Sequence, residues 1–242
     1  MLKIINIVMF VVMITANYLA NAIPINGKTT GELSAQYPNL FVPAGITFSI
    51  WGVIYLLLFA FVVLQFVNNN KQLVEIIGWA FAISCILNAL WIVAWHYENL
   101  SVSLIIMLAL LAVLVYINIQ LKDTNSTLVK ASLGIYLGWI CIATIANVTA
   151  LLVHYGWSGW GIETTTWTII LIAIGLSIAA ITVLKIQNPY IGLAVIWAFA
   201  GILIKRYDSI SGSFDYPPIA ITAIIAIILM AAITIYRFVK PA

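Results

Sequence analysis

The chain has 242 residues, of which 64% are hydrophobic and only 7% are charged, against roughly 25% charged residues in an ordinary soluble domain. This composition, with a mean hydropathy of +1.15, excludes a water-soluble globular domain and is typical of an integral membrane protein in a lipid bilayer. Ten Lys and Arg against seven Asp and Glu give a net charge of +3, too little for a nucleic-acid-binding surface.

Apolar segments of about 20 residues predict eight transmembrane helices. They cover residues 4–23, 43–67, 73–95, 100–121, 128–154, 164–185, 190–204 and 217–237. Polar or proline-containing segments separate them, and a proline opens the second and the last, where it fits the first helical turn. The seventh segment is short, and a re-entrant segment is the alternative there. The fold class predicted is therefore an all-α integral membrane protein.

The first segment has a second interpretation. Lys3, the apolar residues 4–15 and the small residues at 20–22 resemble a secretory signal peptide with its cleavage site. A retained transmembrane helix and a cleaved signal peptide are both compatible with this pattern.

The basic residues predict that both termini lie in the cytoplasm. With eight spans, seven Lys and Arg residues fall on one side of the membrane and three on the other, and basic residues accumulate on the cytoplasmic side. We expect a multi-pass protein of a prokaryotic cell membrane. The outer side then carries a belt of interfacial side chains, namely Trp95, His96, Tyr97, Tyr155, Trp157 and Trp160.

Two asparagines lie within apolar segments and share a helix face with tryptophan. Asn88 is three residues from Trp91, and Asn147 is eight from Trp139, spacings that return to one face of a helix. An amide in hydrocarbon costs several kcal/mol unless it is hydrogen-bonded. Two interpretations follow: the amides bond to each other and join two helices, or they line a pocket.

Helix geometry places three of these side chains at one depth. At a rise of 1.5 Å per residue, Trp51 lies about 12 Å below the outer surface, and Asn88 and Asn147 lie roughly 10 Å below it. The loop of residues 24–42 is on the same outer side and is long enough to cover the opening. We therefore predict an aromatic-lined pocket in the outer half of the membrane. Its rim or lid is predicted at Tyr37, Pro38 and Phe48.

Three motifs on three spans carry a family resemblance. Residues 43–55 begin with proline and contain Phe48, Trp51 and Tyr55. Residues 87–91 read Leu-Asn-Ala-Leu-Trp, and residues 136–139 read Tyr-Leu-Gly-Trp with Asn147 downstream. Over about residues 1–157, the chain resembles the translocator-protein/tryptophan-rich sensory protein (TspO/MBR) family.

The resemblance implies a five-helix transmembrane bundle over residues 1–157 and favours a retained first helix. It also implies binding of flat hydrophobic ligands, above all tetrapyrroles. The ligand-binding residues that it implies are Trp51, Asn88, Trp91, Trp139, Ala143 and Asn147. The basic residue of the cholesterol-type pattern is missing near the end of the fifth span, so sterol binding is not carried over. Residues 158–242 then form a C-terminal extension of three helices, in which the sequence indicates no site.

These features favour a membrane ligand-binding or sensory protein. The alternative is a carrier or exporter of a small amphipathic molecule, although no Asp, Glu or Arg lies in the middle of a span. A porphyrin-modifying enzyme is the second alternative, but no nucleophile–base pair or phosphate loop is visible, so we expect no enzyme.

No cofactor is required by the sequence, although porphyrin or haem could be the ligand. His96 or His154 could be an axial ligand to haem, but an interfacial histidine is the simpler interpretation. Cys85 and Cys141 lie in the middle of apolar segments and predict neither a disulfide nor a metal site. Helix faces with small residues allow a homodimer.

Overall fold

The computed structural model describes residues 1–67 and 71–240, and nearly all of their regular structure is helical. The all-α prediction is confirmed. The helices are α1 (Leu2–Ala22), α2 (Thr30–Ala35), α3 (Ile50–Val67), α4 (Lys71–Ile77), α5 (Ala80–His96), α6 (Leu100–Gln120), α7 (Thr127–His154), α8 (Thr164–Ile186), α9 (Tyr190–Arg206) and α10 (Pro217–Val239). Short 3-10 turns cover Ile25–Gly27, Gly45–Ser49 and Gly159–Gly161, and an antiparallel pair, β1 (Tyr207–Asp208) and β2 (Ser213–Phe214), connects α9 to α10.

Six helical segments among the described residues are long and apolar enough to cross a membrane. These are α1, the continuous segment Gly45–Val67, α6, α7, α8 and α10, and α5 is a shorter apolar helix. Their outward side chains are large and apolar, for example Ile221, Ile225 and Ile228 on α10, which suits a hydrocarbon environment. The chain is therefore an integral multi-pass membrane protein, while the eight-span count and the cytoplasmic termini stay predictions.

The third predicted span is not one continuous helix. We predicted a helix over residues 73–95, whereas the structure has α4, a turn at Gly78 and then α5. Gly78 has a φ of +55°, a left-handed conformation that glycine adopts without a steric penalty and that ends a right-handed helix. The apolar pattern continues through this turn, so hydrophobicity alone does not reveal the break.

Helix α7 is at the centre of the molecule and is the most buried of the six long helices. It packs against α3, α6, α8 and α9. Gly138 of α7 lies directly against the backbone carbonyl of Ile191 and the methyl group of Ala194, at the start of α9. Small residues of this kind let two helix backbones approach closely in a membrane.

Helix α1 is joined to the bundle by amides. Asn17 Nδ2 donates to Asn88 Oδ1 on α5 at 2.7 Å, and Asn6 Nδ2 donates to Gln65 Oε1 on α3 at 3.0 Å. All four side chains are buried. Hydrogen bonds between buried side chains hold membrane helices together, since apolar packing alone does not specify which helices pair. This integration favours the interpretation of α1 as a retained helix.

The last three helices share one continuous core with the first part of the chain. The indole Nε1 of Trp197 on α9 donates to the carbonyl of Thr47 at 2.9 Å, and the Ala44 N–H donates to the carbonyl of Gly201 at 2.9 Å. Helix α9 therefore packs on the 3-10 turn that opens the second span. The division at residue 157 stays a prediction about domains.

Candidate functional site

A small cavity of about 50 Å³ lies between α3, α5, α7, α9 and the loop that follows α2. It contains five of the six predicted ligand-binding residues and one of the predicted rim residues. These are Trp51, Trp91, Trp139, Ala143, Asn147 and Phe48. The three spans that carry the sequence motifs thus meet at one place.

The cavity wall is a cluster of aromatic rings. Trp51 stacks on Trp91 with ring centroids 6.0 Å apart and an angle of 29° between the planes. The ring of Trp139 meets Trp51 edge-on at 6.2 Å and 82°, and Phe48 meets Trp139 edge-on at 6.0 Å and 82°. Stacked and edge-on pairs at such distances are the favourable geometries of aromatic side chains. The cluster presents both ring faces and ring edges to the cavity region.

Three of the lining tryptophans have indole N–H groups without a hydrogen-bond acceptor. The Nε1 atoms of Trp91, Trp95 and Trp139 are buried, and no acceptor lies within reach of them among residues 1–67 and 71–240. A buried donor without a partner costs about 1–3 kcal/mol. Three such donors around one cavity are unusual and call for a specific explanation, such as a ligand that supplies acceptors.

Asn147 is both an interhelical contact and part of the cavity wall. Its Nδ2 donates to Ser103 Oγ on α6 at 3.2 Å, and the Ser103 hydroxyl lies 3.4 Å from Asn147 Oδ1. The side chain also lines the cavity. The hydrogen bond fixes the orientation of the amide, which leaves it positioned beside the tryptophans.

Asn88 lies outside the cavity lining. It is fully buried, accepts from Asn17 Nδ2 at 2.7 Å and donates through Nδ2 to the Tyr136 hydroxyl at 2.9 Å. Both ends of the amide are therefore occupied by α1 and α7. A direct bond between Asn88 and Asn147, one of the two interpretations of the sequence, is absent among the described residues, because each amide pairs with another side chain. Asn88 supports the cavity from below and joins three helices.

Two of the predicted rim or lid residues, Tyr37 and Pro38, belong to a loop that is fixed to α5 and α7. Tyr37 is buried, its hydroxyl donates to Glu98 Oε2 at 2.9 Å, and its ring packs edge-on against Trp95 and His154 at 6.2 and 6.0 Å. Burial, followed by the contact with the Glu98 carboxylate, raises the pKa of Tyr37 to about 12. Tyr37 and Pro38 line a neighbouring pocket rather than the small cavity.

His96 ties the same loop to the end of α5. Its Nδ1 lies 3.1 Å from the carbonyl oxygen of Ile25, which can only accept, so Nδ1 carries the proton. Nε2 is then the acceptor for the Thr30 hydroxyl at 3.1 Å. Both ring nitrogens are occupied, which disfavours His96 as an axial haem ligand. His154 is exposed and packs against Tyr37 and Tyr155.

A larger pocket of about 620 Å³ lies beside the small cavity, at the end of α7, the start of α8 and the end of α9, which is the side predicted to face outward. Ser34 and Phe41 line both spaces. Phe41 is almost fully buried, so its ring stands between the small cavity and the larger pocket. We call the 50 Å³ space the inner cavity and the 620 Å³ space the outer pocket.

Side chains that could ligate a metal ion do not cluster in the described part of the chain. It contains no group of three or more His, Cys, Asp or Glu side chains that could hold a metal ion. Cys85 and Cys141 are free and buried. What the inner cavity offers is aromatic surface and hydrogen-bond donors.

Sequence reasoning missed part of the inner cavity. Trp95 was interpreted as an interfacial anchor, and it lines the cavity instead. Ala198 and Ile202 of α9 also line it, although the extension was expected to carry no site. Their spacing of four residues puts them on one face of α9, but only the packing of α9 against the turn at Thr47 shows that this face is used. Thr30, Ser34 and Phe41 reach the cavity from the first loop.

Fold and site together define a helical multi-pass membrane protein with a tryptophan-lined cavity under an ordered loop. Residues 3–236 match the family model described as "TSPO-like protein". The chain belongs to this family. The match includes α8, α9 and most of α10, beyond residue 157, where the resemblance in the motifs ended. No curated protein matched the chain, and no solved structure matched it either.

Proposed function

We propose that this protein binds flat hydrophobic, tetrapyrrole-like molecules in the inner cavity, as a membrane receptor of the sensory type. The observation that supports the proposal most is the set of three buried indole N–H groups, on Trp91, Trp95 and Trp139, that have no acceptor in the described chain. A ligand with carboxylate or ring-nitrogen acceptors would pair with them and remove the cost of leaving them unpaired.

The shape of the lining favours a planar aromatic ligand. Trp51 and Trp91 are nearly parallel, so a flat ring system can extend their stack, while Trp139 offers its edge. The small side chains of Ala143, Ala146 and Ala198 leave space on the opposite wall. Asn147 adds an amide that can hydrogen-bond to polar atoms of the ligand.

The inner cavity has to enlarge when such a ligand binds. Sites for drug-sized molecules usually have about 300–1,000 Å³, far more than the 50 Å³ present here. The outer pocket has the required volume and is separated from the inner cavity by Phe41 and Ser34. Movement of the Phe41 side chain would join the two spaces, so we expect the ligand to enter from the outer side.

The lower end of the cavity favours binding over transport. The ring of Tyr136 meets Trp51 at 6.1 Å, and its hydroxyl accepts from Asn88, which itself is bonded to α1. These buried side chains close the space beneath the tryptophans. A carrier would need this closed end to open toward the inner side of the membrane.

A titration with protoporphyrin tests the proposal. The purified protein should give a saturable shift in porphyrin absorbance, and Trp139→Phe, which keeps a ring but removes the N–H donor, should weaken binding by roughly 5- to 10-fold. Trp79→Phe is the matched control, since Trp79 is 52% exposed and outside both spaces. Equal affinities of the two variants would remove the inner cavity as the site.

A second experiment tests the enzyme alternative. Recovery of intact porphyrin after incubation in light and oxygen would agree with a binding protein, whereas products would indicate an enzyme.

A further inference from the structure

We propose that the outer pocket is a second binding site, specific for an anionic amphiphile with a phosphate or carboxylate head and an apolar body. The site borders the inner cavity at Ser34 and Phe41, but its cationic residues, Lys205 and Arg206, do not line the inner cavity, so its charge preference is tested independently of the function proposed above.

The strongest observation is the state of Arg206. Its side chain lines the outer pocket and is only 8% exposed, and its Nε is buried without a hydrogen-bond partner in the described chain. Its guanidinium lies 5.8 Å from the ring centroid of Tyr216. A buried N–H donor without an acceptor is costly, so this arrangement suits an anion from outside the chain that supplies one.

No carboxylate of the described chain forms an ion pair with Arg206. Asp215 is close, because its backbone N–H donates to the Arg206 carbonyl and its negative charge acts on the guanidinium, but the two side chains are not within ion-pair distance. Glu98 is already engaged by Tyr37 and by Lys28, whose Nζ is 3.6 Å away. None of these carboxylates lines the pocket, whereas exposed Lys205 does, so the polar end of the pocket is cationic.

The remaining wall of the outer pocket is apolar. Leu152 and Val153 of α7 and Leu171 of α8 line it, together with Trp157 and Trp167, whose ring centroids are 5.1 Å apart. The Trp167 indole N–H donates to the Gly159 carbonyl at 2.8 Å, which holds the ring in place. This wall can cover an acyl chain or a similar body.

Charge and apolar wall together specify the ligand. An Arg and a Lys bind a phosphate or carboxylate through charge-assisted hydrogen bonds, while the leucines and tryptophans bury apolar surface. The pocket is at the ends of membrane helices, at the level where lipid head groups lie. An anionic lipid therefore fits better than a free anion, which would leave the apolar wall uncovered.

The test uses the full chain in nanodiscs of phosphatidylcholine with added brominated phosphatidylglycerol, whose bromines quench nearby tryptophans. Quenching should saturate at a mole fraction about tenfold lower than with brominated phosphatidylcholine. Arg206→Gln should raise the required fraction roughly tenfold, and Lys205→Gln, at an exposed position, should shift it in the same direction. Lys28→Gln is the matched control, because Lys28 is a basic residue near the first loop that lies outside the pocket.

Three results would overturn the proposal. One is equal quenching by the two brominated lipids, and another is equal behaviour of Arg206→Gln and Lys28→Gln. The third is displacement of the lipid by low concentrations of inorganic phosphate, which would mean that a free anion is the ligand and the apolar wall contributes nothing. If Arg206→Gln does not fold, the same quenching titrations are made with Lys205→Gln and with Leu152→Trp, which fills the apolar end of the pocket. Both variants should then require a higher fraction of brominated phosphatidylglycerol than the wild type.

Discussion

Asn147 has two roles at once, since it bonds to Ser103 on α6 and lines the inner cavity. Asn88 bonds to Asn17 and Tyr136 and does not reach the cavity. Interhelical hydrogen bonds in membranes average about 0.6 kcal/mol, so a single lost bond changes stability little. Burial of a polar group whose partner has been removed costs more, about 1–3 kcal/mol.

These surroundings predict opposite phenotypes for two similar substitutions. Asn147→Leu should weaken porphyrin binding by roughly 5- to 150-fold, because it adds bulk to the cavity and removes a polar contact. Asn88→Leu should lower the melting temperature by several degrees, since two buried partners lose their bonds, while affinity changes by less than about threefold. Porphyrin titrations and thermal melts of both variants measure this. If the porphyrin affinity changes equally in Asn88→Leu and Asn147→Leu, the conclusion that only Asn147 contacts the ligand is wrong.

Tyr37 predicts a pH dependence of the first loop. Its pKa is raised from 10.0 to about 12, so the neutral phenol is favoured in the folded protein. The contribution of the neutral Tyr37 phenol to the stability of the folded protein is therefore complete below pH 10, and it is lost as the pH rises through about 12. The difference in phenolate absorbance between the wild type and Tyr37→Phe should show one phenol that ionises near pH 12. A difference centred near pH 10 would mean that the loop does not bury this side chain.

At the level of elements, the contact between α7 and α9 determines the shape of the inner cavity. Gly138 lets the start of α9 approach α7, and Gly201 lies against Thr47 at the opening of the second span. Ala198 and Ile202 are thereby placed in the cavity wall. The position of α9 thus depends on glycines at which even a methyl group would collide.

Gly138→Ala should destabilise the protein. Its Cβ would collide with the backbone carbonyl of Ile191, which cannot move as a flexible side chain can. Overpacking of this kind costs about 1–3 kcal/mol, or roughly 2–12 °C in melting temperature for a chain of this size. Gly52→Ala is the control, because nothing lies within 4 Å of its Cβ position and alanine favours helix. If both variants melt like the wild type, the close approach of α7 and α9 is not required.

At the level of the whole molecule, the first five spans do not complete the cavity by themselves. The Ala44 N–H and the Thr47 carbonyl bond to α9, and α9 supplies part of the cavity wall. The predicted boundary at residue 157 would therefore separate a site from one of its walls.

Truncation after residue 157 tests the two-domain prediction. We expect the fragment of residues 1–157 to melt at a lower temperature than the full chain and to lose most of its porphyrin affinity, because the face of α7 that packs on α9 becomes exposed. Melting and titration in the same detergent measure both properties. A fragment with the stability and affinity of the full chain would show that residues 1–157 form an independent domain.

The sequence by itself determined that the protein lies in a membrane, that its fold is all-α and which family it resembles. These follow from composition, from the length of the apolar segments and from local motifs. The constant helix rise also placed Trp51, Asn88 and Asn147 at one depth; Trp51 and Asn147 line the inner cavity, whereas Asn88 does not. Apart from the break at Gly78, the long helices lie where hydrophobicity placed them.

Tertiary structure decided which partner each polar group has and which helix completes the cavity. Asn17, Ser103 and Tyr136 are distant in sequence from the amides they bind, and no spacing rule connects them. The contribution of α9 depends on close packing at glycines, which a hydrophobic pattern does not encode. Arg206 shows the same limit, because only the packing of α9 leaves its Nε buried without a hydrogen-bond partner in the described chain. Local periodicity fixes elements, whereas pairing between elements depends on shape complementarity across the whole chain.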